Sequence, residues 1–158
     1  MAQDWRAAYF RQARSDYETL HLLEEASASF CQRLHYLQMA TEKLAKGFAT
    51  APGGPQRPKV HRGYVQFLQQ IKRRTELQVL CRRSPGQVTP YIDGLLPYAR
   101  LIEDLAPANA NGGPNPEYPW QEPGGVVAPA DHAFSNLELN VRGMVNMLKF
   151  LDRCFQII

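Results

Sequence analysis

An all-α fold follows from three features of the chain. Long apolar stripes recur at steps of three and four, no run shows the sustained period-two alternation of a strand, and proline- and glycine-rich stretches separate the stripes. The expected architecture is an antiparallel up-and-down bundle of four to five helices, with a long Pro/Gly-rich loop before the last helix. A length of 158 residues is near the common size of one domain, so residues 1–158 are expected to share a single core.

The first helix is expected over roughly residues 4 to 25, with Trp5, Tyr9, Ala13, Tyr17 and Leu20 on one face. Residues 28 to 48 carry the most regular stripe: Phe30, Leu34, Leu37, Thr41, Leu44 and Phe48. Ser27 and Ser29 offer N-cap oxygens between the two helices, and so short a junction makes them antiparallel neighbours. TAPGGPQRP, residues 50 to 58, cannot continue a helix, because its prolines remove backbone donors and its glycines cost entropy. A third helix is expected from about Val60 to Arg74, burying Val60, Tyr64, Phe67 and Ile71, with an extension toward Arg83 left open.

Thr89-Pro90 reads as an N-cap followed by proline at the first helical position. The helix that follows would bury Ile92, Leu95, Ala99 and Ile102, with a kink at Gly94 and Pro97 or a start delayed to about Leu96. Residues 107 to 130 hold six prolines and four glycines and are expected to be irregular, anchored by Tyr118, Trp120, Val126 and Val127. The last helix is expected from an N-cap at Asp131 to about Phe155, through Phe134, Leu137, Val141, Met144, Leu148, Leu151 and Phe155.

Several classes are disfavoured. The N-terminal MAQDWRAAYF lacks the basic-then-apolar layout of a secretory signal, and no apolar run approaches the roughly 20 residues of a membrane span. The chain is therefore expected in the cytoplasm, with no membrane partner. Three scattered cysteines do not make a disulfide framework. Cys31 and His35 stand one helical turn apart, but no second pair completes a set of about four ligands, so neither a metal nor another cofactor is expected. Internal repeats, GxGxxG and a glycine-rich phosphate loop are absent from the sequence.

The net charge of +3 is unevenly spread: residues 57 to 83 hold eight bases against one acid, and residues 84 to 158 hold eight acids against four bases. A basic segment beside an acidic one points either to an anionic ligand or to mutual neutralisation within the fold. For polyanion binding the informative residues are Arg57, Lys59, Arg62, Lys72, Arg73 and Arg74. Tyr64, Tyr118 and Trp120 would either stack on bases or pack in the core.

In chain order, LQMATEKLAKGF, KVHRGYVQFL and PEYPW resemble the Ala-x-Glu-Lys-x-x-Lys helix, the Lys-Thr-His segment and the Arg-Tyr-Pro-Asp loop of the HEPN family. Glu42, Lys43, Lys46, His61, Tyr118 and Pro119 fall at the matching places, whereas Glu117 and Trp120 replace the family's arginine and aspartate. The resemblance implies a helical bundle that binds nucleotide or nucleic acid, often as a homodimer and beside a nucleotidyltransferase partner. Many members are metal-independent ribonucleases with four to six residues between an arginine and a following histidine. Arg14 and His21, with six residues between them, match that spacing as a catalytic pair; Arg57 and His61 are closer together.

Each candidate has a structural counterpart. Lys43 and Lys46 would grip a phosphate or join a Glu–Lys network on their helix, and His61 would bind ligand or, with greater weight, cap backbone groups or hydrogen-bond a neighbouring helix. The leading expectation is a non-catalytic bundle binding nucleotide or nucleic acid through Lys43, Lys46, Arg57, Lys59, His61, Arg62, Arg73, Arg74 and Tyr118. The alternatives are an RNA-cleaving toxin of a toxin–antitoxin pair, using Arg14 and His21, and a homodimeric interaction module.

Overall fold

The structure, a computed structural model, describes residues 4–57 and 61–158. Its helices are α1 (Trp5–Glu25), α2 (Phe30–Ala49), α3 (Tyr64–Arg73), α4 (Pro85–Asp104) and α5 (Arg142–Ile157), packed around one core as an all-α bundle. None of them is long and apolar enough to cross a membrane.

Asp4 starts α1 by accepting the Ala7 N–H at 3.1 Å, which satisfies one of the amides a helix start leaves unpaired. Ser27 turns the chain through a left-handed conformation, φ +52°, and α2 begins after Ser29. Ser29 makes no side-chain cap; its hydroxyl lies 3.4 Å from the Cys31 sulfur instead. The antiparallel pairing is fixed by matched contacts at both levels of the pair: Asp16 meets Lys43, and Phe10 packs edge-on against Phe48. At Gly47 the two helices leave no room for a side chain, since an added Cβ would collide with the Phe10 ring.

α3 starts at Tyr64, later than expected; Lys59 and Val60 lie outside the described residues. Its first turn is held from outside, by the Glu103 carboxylate of α4 accepting the Val65 N–H at 2.8 Å. The helix does not extend to Arg83. Arg74 leaves it in an extended conformation, and a short 3₁₀ segment, Thr75–Cys81, buries Leu77, Leu80 and Cys81.

α4 starts earlier than expected, after Ser84 with Pro85 in its first turn rather than at Thr89-Pro90 or Leu96, and it is continuous through Pro90 and Pro97. The physical reason lies in the side on which the prolines fall. Pro90, Asp93, Gly94 and Pro97, spaced by three and four, form one exposed face, so carbonyls that lose an amide partner can turn to water. Val88, Ile92, Leu95, Ala99 and Ile102 form the buried face.

The segment after α4 is not wholly irregular. Two short strands, β1 (Trp120–Glu122) and β2 (Gly125–Val127), pair antiparallel around Pro123-Gly124. So short a hairpin has no room for the alternation that marks longer strands. Trp120 is the anchor, buried against the rings of His132 and Phe134. Tyr118 and Val126 are not anchors, being 58% and 72% exposed.

α5 begins at Arg142 rather than at Asp131. Phe134 and Leu137 are buried as expected, yet they come from a left-handed residue (Phe134, φ +46°) and a 3₁₀ turn. Successive turns can reproduce a spacing of three without a helix, because a 3₁₀ turn also advances three residues. Within α5, Met144, Met147, Phe150, Leu151, Cys154 and Phe155 are buried, while Leu148 is only half-buried.

Gly47→Ala should lower stability in urea unfolding. The overpacking cost of about 1–3 kcal/mol exceeds the ~1 kcal/mol gain in helix propensity, and a smaller residue at Phe10 should restore part of the loss.

Candidate functional site

Gln38, Glu42 and Lys46 stand four residues apart along α2 and therefore share one face. Glu42 is only 8% exposed, and an isolated carboxylate there would be costly. It is satisfied three times: Oε1 accepts from Lys46 Nζ at 2.6 Å, and Oε2 accepts from Gln38 Nε2 at 2.9 Å and faces His61 Nδ1 at 2.7 Å. Burial pushes the Glu42 pKa up, but the hydrogen bonds from Lys46, His61 and Gln38 outweigh it and hold the carboxyl below its ordinary value. Glu42 is therefore an ionised, acceptor-only group, and Nδ1 of His61 must be the donor. In the neutral ring the lone pair is then left on Nε2.

His61 does not cap α3, whose flanking residue is Gly63; it hydrogen-bonds the neighbouring helix instead. Its backbone is held by Asn109 Nδ2, which donates to the His61 and Glu103 carbonyls at 3.2 and 2.9 Å. The same Asn109 accepts the Arg62 Nε–H at 3.2 Å, which orients that guanidinium. Burial raises the Glu103 pKa, and the amides of Val65 and Tyr64 oppose the shift.

Beside this network lies a cleft of about 80 Å³ between α2 and the start of α3. Ala45, Gly63 and Phe67 supply apolar surface; Glu42, Lys46, Arg57, Arg62, Gln66 and Gln70 supply polar groups. The Arg57 backbone is tied to the Tyr9 hydroxyl, while its guanidinium has no hydrogen bond or ion pair among the described residues. Gln66, Gln70 and Arg73 follow at helical spacing on α3, extending a polar, exposed stripe away from the cleft.

The remaining expected residues are dispersed. Lys43 is not at the cleft: it pairs with buried Asp16 at 2.6 Å, and Gln12 also holds Asp16, so it ties α1 to α2. Arg74 pairs with Glu76 and Lys72 with Asp93, each at 2.7 Å, so part of the basic segment is neutralised within the fold. Tyr118 is exposed in the loop before β1, and Tyr64 and Trp120 are core residues.

Arg14 and His21, the expected catalytic pair, each have partners of their own. Arg14 Nη2 donates to the Phe155 and Ile158 carbonyl oxygens at 2.7 and 2.5 Å, an end-on lock for α5. His21 instead lies 3.3 Å from Glu24 and packs edge-on to Tyr17. Gln38, Gln66, Gln70, Glu103 and Asn109 went unrecognised in the sequence; only the glutamines carry a signal, their four-residue spacing with Glu42 or with each other. No family model, no curated protein and no solved structure matches the chain.

Because the folded pKa of Glu42 lies below its ordinary value of 4.5, its contribution to stability is complete above that value and is lost as pH falls through the folded one. Glu42→Gln should cost about 2 kcal/mol at neutral pH, by leaving Lys46 without its counter-charge. That gap between variant and wild type should close in acid below 4.5, as read by urea unfolding at a series of pH values.

Proposed function

We propose that the protein is a HEPN-like helical bundle that binds nucleotide or single-stranded nucleic acid, without cleaving it, at the cleft between α2 and α3. The observation that carries this reading is the grouping of Lys46, Arg57 and Arg62 around one concavity whose only acid among the described residues, Glu42, is already committed to Lys46 and His61. Guanidinium groups match phosphate oxygens with paired donors, and Arg62 is pre-oriented by Asn109. Gln66 and Gln70 add amides, which can donate to and accept from the edges of an unstacked base. Arg73 lies on the same α3 stripe and would meet a further phosphate.

RNA cleavage by Arg14 and His21 has less support, since the guanidinium is committed to the end of α5. The order and spacing of the residues around Glu42, His61 and Tyr118 support the HEPN likeness, and a nucleotidyltransferase partner would follow from that likeness alone.

Fluorescence anisotropy of a labelled single-stranded RNA, titrated at low and moderate salt, tests the reading. Arg57→Ala with Arg62→Ala should weaken binding by tenfold or more and lower the log–log salt slope by about 1.4, at ~0.7 per phosphate contact for single strands. Unchanged affinity in that double variant would remove the cleft from consideration. Arg73→Ala should weaken binding more than Arg74→Ala, because Glu76 already neutralises Arg74.

A further inference from the structure

The imidazole of His61 has a specific arrangement. Its Nδ1 is held at 2.7 Å by a carboxylate that is itself buried and fixed by Gln38 and Lys46. Its Nε2 has no hydrogen-bond partner among the described residues, and the side chain is 38% exposed. The next residue, Arg62, and Lys46, which shares the same carboxylate, both line the neighbouring cleft. A nucleophilic nitrogen, an anion behind it and cations beside it are the groups that transfer of a phosphoryl group to histidine requires.

We propose that His61 Nε2 is a phosphoryl acceptor, taking the group from a donor with a phosphorus–nitrogen bond, such as a phosphoramidate. The proposal rests on the cleft being a phosphate site and adds covalent chemistry to it. In the step, the Nε2 lone pair forms a bond to phosphorus while the donor's P–N bond breaks. The donor nitrogen, already protonated, leaves with the bonding pair as a neutral amine, and nothing is oxidised or reduced. The Nδ1 proton stays in place, so the phosphorylated ring carries a positive charge, which Glu42 balances across the 2.7 Å contact. Lys46, which shares the Glu42 carboxylate with the ring, and the adjacent Arg62 are the nearby cations that would favour the negative charge of the phosphoryl oxygens.

The other histidines of the chain serve as internal references. His21 faces the partly exposed Glu24, His35 packs edge-on to Tyr36, and His132 lies between Trp120 and Phe134. Only His61, among the described histidines, has a buried carboxylate on one nitrogen.

The folded protein is incubated with ammonium phosphoramidate at neutral pH, and modification is followed site by site by mass spectrometry and by phosphorus NMR in alkaline buffer. The expected result is phosphate on His61 about tenfold faster than on His21, His35 or His132, with the NMR signature of the Nε2 isomer. Glu42→Gln should slow His61 to the rate of the other histidines. His61→Asn, which retains an amide donor toward Glu42, should lose the signal while keeping the wild-type circular dichroism. Equal rates at the four histidines, or phosphate on Nδ1, would overturn the proposal. The RNA titration separates the two failures: weakened RNA binding in the Arg57/Arg62 variant together with an unreactive His61 overturns the acceptor alone.

Discussion

A carboxylate removed from water must either lose its charge or surround itself with donors, and Glu42 does the second. Its three partners come from two separate parts of the chain: Gln38 and Lys46 from α2, and His61 from beyond the proline-rich segment. Satisfying one buried charge therefore fixes where the chain re-enters the bundle before α3. Asn109 completes that constraint from the far side, tying His61 and Arg62 to the end of α4. The position of the cleft and the direction of Arg62 both depend on this one electrostatic requirement.

A second polar link, Lys43 to Asp16, has the same physical form but a different consequence. It joins two helices that already pack closely. The comparison shows why neighbouring lysines on one helix, Lys43 and Lys46, have separate uses. Three residues apart, they diverge by more than half the width of the buried face, so one meets α1 and the other borders α3. Arg14 illustrates a related economy: a cation on the first helix meets the last carbonyl groups of the final one, where the helix dipole favours positive charge.

The bundle also tolerates features that would ordinarily end its helices. Pro90 and Pro97 survive inside α4 because their faces are wet, and Gly47 serves as the gap that admits the Phe10 ring. Between α4 and α5, the chain is organised around Trp120 rather than by regular structure, with His132 and Phe134 closing over it. That aromatic group holds a proline-rich segment against the core without needing a continuous backbone ladder.

The sequence by itself determined the all-α class, the antiparallel pairing of α1 with α2, and most of the buried faces, because apolar periodicity and short junctions are local properties. It also singled out Lys43, Lys46 and His61 as candidates, with Glu42 beside the lysines, but not that Glu42 would join Lys46 to His61 while Lys43 turned to Asp16. Helix boundaries were less legible. The start of α4 depended on which side of the bundle its prolines would face, and the turns at Phe134 and Leu137 satisfied a helical spacing without being a helix. Tertiary structure alone decided that His61 would turn to Glu42 rather than cap α3, that Arg14 would lock α5, and that Lys72 and Arg74 would be neutralised while Arg57 and Arg62 would border a cleft. The physical reason is that a charge's role is set by what lies within a few ångströms of it, and those neighbours stand far off in the chain, 47 positions for Arg62 and Asn109 and 141 for Arg14 and Phe155.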